Sequence, residues 1–129
     1  MNAPETNCKA WLVKADNDLL NIENNLAATH VPWDTVSFHA QQVAEKLLRA
    51  FLVYQARPLT RTHDLVALLA GCAEISPCLA GLEQDCQELS YYAVASRYPA
   101  DLYEPQEKEA REMIDAARRL RAAILACLP

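Results

Sequence analysis

The strongest constraint in this chain is the stretch between Pro32 and Pro58, where Val36, Ala40, Val43, Leu47, Ala50 and Tyr54 recur at alternating steps of four and three with no proline between. Such a period puts one apolar seam on an α-helix and cannot be served by a strand, whose faces alternate every second residue. A helix of this length packs along neighbours on its seam, so partner helices must lie before and after it. Composition agrees: glycine occurs only at Gly71 and Gly81, too few for a turn-rich β-fold or a glycine-rich phosphate loop, while 52% of residues are hydrophobic.

The flanking segments supply those partners. Trp11, Ala15, Leu19, Ile22 and Leu26 make one face of a first helix starting near Thr6 and ending before His30-Val31-Pro32. Pro32 disfavours helical geometry in the residue before it and suits the first turn of the second helix. After Pro58, Thr62 is the expected cap of a short third helix bearing Leu65, Leu68, Leu69 and Cys72, with Asp64 near its positive end. A fourth helix is predicted from Ser76-Pro77 through Leu79, Leu82, Cys86, Leu89 and Ala93 to Tyr98-Pro99. The last follows Pro105, with Glu107, Glu109 and Glu112 early, Arg118, Arg119 and Arg121 late, and a seam of Ala110, Met113, Ala117, Leu120, Ile124 and Cys127. The predicted fold is all-α, an up-and-down bundle of four to five helices forming one domain over residues 1–129. Apolar residues outside single seams, such as Leu48 and Leu52, suggest a homodimer face, the alternative being that they pack inside the bundle.

Several classes are disfavoured. No apolar run approaches the ~20 residues that span a bilayer, and the first residues lack a signal-peptide pattern, so a cytoplasmic protein without membrane contact is expected. The five cysteines, Cys8, Cys72, Cys78, Cys86 and Cys127, are an odd number without a C-x-x-C pair. They are expected to be free, small core residues rather than a disulfide framework or zinc site; no metal or cofactor is anticipated. A net charge of −5 argues against bulk electrostatic binding of nucleic acid, though a local basic groove stays compatible with it.

Chemistry then concentrates on the second helix, where His39, Gln42, Lys46 and Arg49 are spaced three, four and three apart. They line one stripe beside the seam, and each can donate to a phosphate or carboxylate; a solvated charged face with Glu45 nearby is the plainer reading. Tyr91, Tyr92, Tyr98 and Tyr103 could stack on bases or plug the end of the bundle. Arg57 precedes His63 by five intervening residues. Metal-free RNA cleavage needs a group near neutrality to move protons and a cation to stabilise the phosphorane, roles a His and an Arg can fill. The plainer alternative is that Thr62, His63 and Asp64 cap the third helix while Arg57 is solvated.

The segment FHAQQVAEKLLRAFL, Phe38 to Leu52, followed by THDL from Thr62 and SRYP from Ser96, resembles the HEPN family, the higher eukaryotes and prokaryotes nucleotide-binding domain. The likeness covers the chain from about Leu12 into the last helix. It implies a dimeric helical protein often encoded beside a minimal nucleotidyltransferase, with some branches acting as metal-independent ribonucleases in toxin, defence or stress systems. Catalytic members carry an Arg followed after four to six residues by His, paired across the dimer. Arg57 and His63 meet that spacing on a proline-containing connection, whereas Arg97-Tyr98-Pro99, nearer the family's motif region, has no His after it. The favoured expectation is therefore a non-catalytic nucleotide-binding or nucleotidyltransferase-partner module of a toxin-antitoxin or defence type. It would bind through His39, Gln42, Lys46, Arg49, Arg97, Tyr98 and Tyr103. The alternatives are a ribonuclease acting on RNA with Arg57 and His63 as its catalytic pair, and a helical scaffold without a nucleotide site.

Overall fold

The computed structural model describes residues 4–58, 61–95 and 105–129, and these form α1 (Pro4–Leu26), α2 (Trp33–Tyr54), α3 (Leu65–Ile75), a 3-10 turn (Pro77–Leu82), α4 (Glu83–Ala95) and α5 (Glu107–Ala126). No strand occurs among the described residues. The central element is α2. From Val43 to Leu52 every residue except Lys46 is buried, because α1, α3, α4 and α5 all pack on it. Phe51, Leu47, Leu48, Val36 and Val43 are among the largest fully enclosed side chains.

Contacts between the ends fix the directions. Asp18 of α1 meets His39 and Lys46, while Trp11 lies under Arg49, so α1 and α2 run antiparallel. Arg111 sits 5.2 Å over the Trp33 ring, which puts the beginnings of α2 and α5 side by side. Arg119 grips Asp85 with two bonds at 2.8 and 3.1 Å, tying α5 to α4.

Leu48 and Leu52 are 0% and 6% exposed within the single chain. They belong to the bundle core and are unavailable for a dimer face, since α2 is covered on more sides than one seam implies. The larger exposed apolar side chains among the described residues are Val13, Leu20, Phe38 and Leu125. No helix among the described residues is long and apolar enough to cross a membrane.

The connections differ from expectation in two places. The cap of α3 is Asp64, whose carboxylate accepts from Val66 N–H at 3.0 Å, while the Thr62 hydroxyl accepts from Asp64 N–H at 3.1 Å. Thr62 thus shapes the turn before the cap. The segment from Pro77 begins as a 3-10 turn, whose threefold period lines up the buried Leu79 with the partly buried Leu82; the α-helix starts only at Glu83. At the end of α2, Ala56 adopts φ 57°, and Arg57 N–H returns to the Leu52 carbonyl at 2.9 Å. That is a left-handed helix stop just before Pro58. In α5, Glu109 reaches back to Gln106 N–H at 3.0 Å, capping the first turn.

The cysteine expectation holds for Cys8, Cys72 and Cys86, which are buried, but not for the exposed Cys78 or the half-buried Cys127 at the end of the α5 seam. All five thiols are free.

Candidate functional site

Two polar rows run along α2, and only one is visible as a basic stripe in the sequence. The other comprises Ser37, Gln41, Glu45 and Arg49, four residues apart on the buried side. Residues four apart stack on one helix face. Gln41 Nε2 donates to Glu45 Oε1 at 3.2 Å, and Arg49 Nε donates to Glu45 Oε2 at 3.3 Å. Gln42 Nε2 joins the rows by donating to Gln41 Oε1 at 2.7 Å. The Ser37 hydroxyl is buried with no hydrogen-bond partner.

A buried charge is tolerated where a counter-charge and hydrogen bonds replace water. Each cation of the expected stripe has such a partner. Asp18, on the face of α1 that also carries the enclosed Ala15 and Ile22, accepts from His39 Nδ1 at 2.8 Å and from Lys46 Nζ. Glu45 serves Arg49 and, across the chain, His63 Nδ1 at 3.1 Å. The cations of the stripe are therefore each paired with a carboxylate, His39 and Lys46 across to α1 and Arg49 within α2.

Arg49 also holds a connection in place. Its Nη2 donates to the Thr62 carbonyl at 2.6 Å, and its guanidinium lies 6.0 Å from the Trp11 ring centre. The backbone at Thr62 is thus fixed to α2, and the next residue, His63, reaches the carboxylate of Glu45. The Glu45 side chain is 9% exposed and that of His63 69% exposed. One imidazole nitrogen is engaged by a buried carboxylate while most of the ring faces solvent. A carboxylate in that position orients the ring and selects its tautomer, the arrangement that suits a histidine for donating to a phosphate or moving a proton.

The expected partner of His63 lies elsewhere. Arg57 pairs with Glu74 at 3.5 Å, with both side chains about half or more exposed. Glu74 sits near the end of α3, and His63 just before its start, so the length of α3, ~15 Å at 1.5 Å per residue, separates the two anchoring points. The arginine that shares a carboxylate with His63 is Arg49. Arg97, Tyr98 and Tyr103 lie outside the described residues, as do the side chains of Tyr91 and Tyr92. Among the described residues, no group of three or more His, Cys, Asp or Glu side chains is placed to hold a metal ion.

Asp18, Gln41 and Glu45 are the site residues that the basic stripe does not reveal. The signal for two of them is present as polar residues repeating every four positions inside an otherwise apolar helix; Asp18 stands out as a carboxylate on an apolar face.

Among the described residues, five α-helices packed with one buried central helix in their midst and paired charges along it define the class of fold. The HEPN domain profile matches residues 8–127, and the chain belongs to that family. No curated protein and no solved structure matches it.

Proposed function

We propose that this chain is a non-catalytic HEPN module that binds a partner, a minimal nucleotidyltransferase or its nucleotide, in a system of the toxin-antitoxin or defence type. The observation that carries this reading is the separation of Arg57 from His63, each engaged by a different carboxylate at opposite ends of α3. Catalysis on RNA would need a cation free to reach the phosphate beside the histidine, and Arg49, which shares the Glu45 carboxylate with His63, is 6% exposed and committed to Glu45 and Thr62. The net charge of −5 and the internal pairing of Lys46 and His39 also favour a protein partner over bulk RNA. The binding edge runs from His39 and Lys46 towards His63, in a homodimer of the kind the family resemblance implies.

The test is co-expression with a minimal nucleotidyltransferase from the same genome. The wild type should co-purify with it, and Lys46→Glu combined with His63→Glu should weaken the complex by tenfold or more, about 1.4 kcal/mol. These two side chains are chosen because, at 22% and 69% exposed against 7% for Arg49, they can swing into solvent to relieve the repulsion from Asp18 or Glu45, which a carboxylate at position 49 cannot. A complex of unchanged affinity would rule out this edge.

One observation favours a second reading, a metal-independent ribonuclease: His63 is exposed and oriented by a buried carboxylate. On that reading, the pure protein cleaves RNA in EDTA and His63→Ala abolishes cleavage. Absence of cleavage by the wild type leaves the binding module standing.

A further inference from the structure

Three of the four larger exposed apolar side chains among the described residues lie on the outer faces of α1 and α5: Val13 and Leu20 on the first, Leu125 on the second. Both helices pack on α2 but not closely on one another, and a groove of about 420 Å³ lies open between them. Leu19 and Leu20 from α1 and Ala122 from α5 supply its apolar lining. Contiguous apolar surface rimmed by polar groups marks a place where something else packs.

The charges of the groove are segregated by wall. Asp16 and Glu23 stand on α1, Arg118 and Arg121 on α5. Arg121 reaches across to Asp16 at 3.1 Å, whereas Arg118 and Glu23 have no ion-pair partner among the described residues. That one bridge fixes the levels. Because α1 runs against α2, and α2 alongside α5 from a shared end, α1 and α5 are antiparallel. At ~1.5 Å per residue, Val13 and Leu125 then lie within about 2 Å of the same level, and Arg118 falls between Asp16 and Glu23. Val13 is seven residues from Leu20, and Leu125 seven from Arg118, so each set shares one helix face.

We infer that this face is where two copies of the chain meet, α1 of each lying along α5 of the other about a two-fold axis parallel to the groove. Charge selects that axis. Rotation about it preserves every level, so Asp16 faces the partner's Arg121 and Val13 the partner's Leu125. Glu23 and the partner's Arg118 lean towards each other, since helical side chains tilt towards their own N-terminus. Every neighbour in the resulting four-helix layer is antiparallel, as in an up-and-down bundle. A two-fold perpendicular to the groove would instead stack α1 on α1 and α5 on α5, setting acid against acid and arginine against arginine. The 20 residues of α5 make a helix about 30 Å long. Two such helices side by side offer on the order of 600 Å² in projection and more in accessible surface, against roughly 800 Å² per partner in a stable interface. Two acidic side chains on one wall and a net charge of −5 make anionic lipid or nucleic acid a poor occupant. The assignment rests on the proposed function only in taking the chain to be a dimer, and it leaves the edge from His39 to His63 open.

The test is sedimentation velocity of the full chain over a dilution series, with charge-reversed variants. The wild type should run at twice the mass of one chain. Asp16→Lys with Glu23→Lys makes both walls basic, and Arg118→Glu with Arg121→Glu makes both acidic. Each double variant should raise the dimer Kd about a hundredfold or more, because like charges then face each other across the two-fold. Mixed in equal amounts, the two should re-form a dimer containing one copy of each, which also shows that both are folded. Double variants that stay dimeric on their own would overturn the assignment of this face while leaving a homodimer elsewhere on the molecule. A mixture that stays monomeric would overturn the pairing of α1 with the partner's α5. A monomeric wild type would remove the dimer altogether, and co-purification with the nucleotidyltransferase would still decide the binding module separately.

Discussion

Glu45→Ala is the most informative single change, because Glu45 joins Arg49, Gln41 and His63 from inside the bundle. The side chains of Glu45 and Arg49 are 9% and 7% exposed and their charged atoms lie 3.3 Å apart. At an effective dielectric of ~20 their attraction is about 5 kcal/mol before desolvation. Removing one partner of a buried pair costs about 3–5 kcal/mol, mainly because the other charge stays buried without it. Arg49 keeps the Thr62 carbonyl, and Ala returns a few tenths through helix propensity, so the expected loss is about 2–4 kcal/mol. In urea unfolding this lowers the midpoint at constant m-value, and in a thermal scan it lowers Tm by about 6–15 °C. Arg49→Met and the double variant complete a cycle whose coupling should be about 1.5–3 kcal/mol. Glu74→Ala is the control: it breaks an exposed pair at 3.5 Å with Arg57 and should cost less than about 0.5 kcal/mol. A Glu45→Ala loss as small as that of Glu74→Ala, or a coupling of zero, would refute the reasoning that α2 carries a buried ion pair.

Three further outcomes are expected. Ala56→Gly should stabilise the protein by about 0.5–1 kcal/mol in urea unfolding, because φ 57° strains a residue with a Cβ. Leu48→Ala should cost about 2–4 kcal/mol, and its Tm shift should not depend on protein concentration, since Leu48 is enclosed within one chain; a concentration-dependent shift would return it to an interface. Cys72 and Cys86 hold their protons to about 12 in the folded chain through burial, whereas unfolded thiols lose theirs near 9. Their contribution is fully present below about pH 9 and is lost as pH rises towards 12, at about 1.4 kcal/mol per pH unit for each cysteine. Cys72→Ala should therefore flatten the alkaline fall in stability, measured by urea unfolding between pH 9 and 11.

The helices were legible because burial imposes a period. Val36, Ala40, Val43, Leu47 and Ala50 are all buried, as their spacing demands, and prolines bracket the element. The charged residues were not legible in the same way. A hydrophobic pattern assigns Glu45, Arg49 and Asp18 to solvent, since nothing local tells a charge with a buried partner from one in water. The partner of Asp18 is on another helix, and that of Glu45 includes a residue 18 positions on. The spacing of Arg57 and His63 does not carry over into a shared partner within the chain for a related reason. Sequence distance stands for spatial distance only within one regular element, and the left-handed stop at Ala56 followed by Pro58 sends Arg57 towards Glu74.

The same pairs that hide α2's charges also set its register. Lys46 lies two helical turns beyond His39, yet both reach the one carboxylate of Asp18, because helical side chains lean towards the N-terminus and a lysine has the length to span the difference. A slip of α1 along α2 by a single turn would keep much of the apolar contact, since Ala15 and Ile22 meet a broadly apolar surface. It would leave Asp18 buried among apolar groups, which is far costlier than the lost packing. Glu45 imposes the corresponding condition at the other end, where Arg49 must hold Thr62 for His63 to reach its carboxylate. The exposed histidine is thus positioned by a chain of buried contacts, and its placement depends on the register of the whole central helix. Any function exercised at His63 is consequently sensitive to Glu45, a residue that solvent hardly reaches. Comparing His63→Ala with Glu45→Gln separates the effects: the first deletes the ring and should leave stability within about 0.5 kcal/mol, while the second keeps the ring but loosens its orientation. If partner binding survives Glu45→Gln yet fails in His63→Ala, the ring itself makes the contact, whereas equal losses would trace recognition to the orientation that Glu45 imposes.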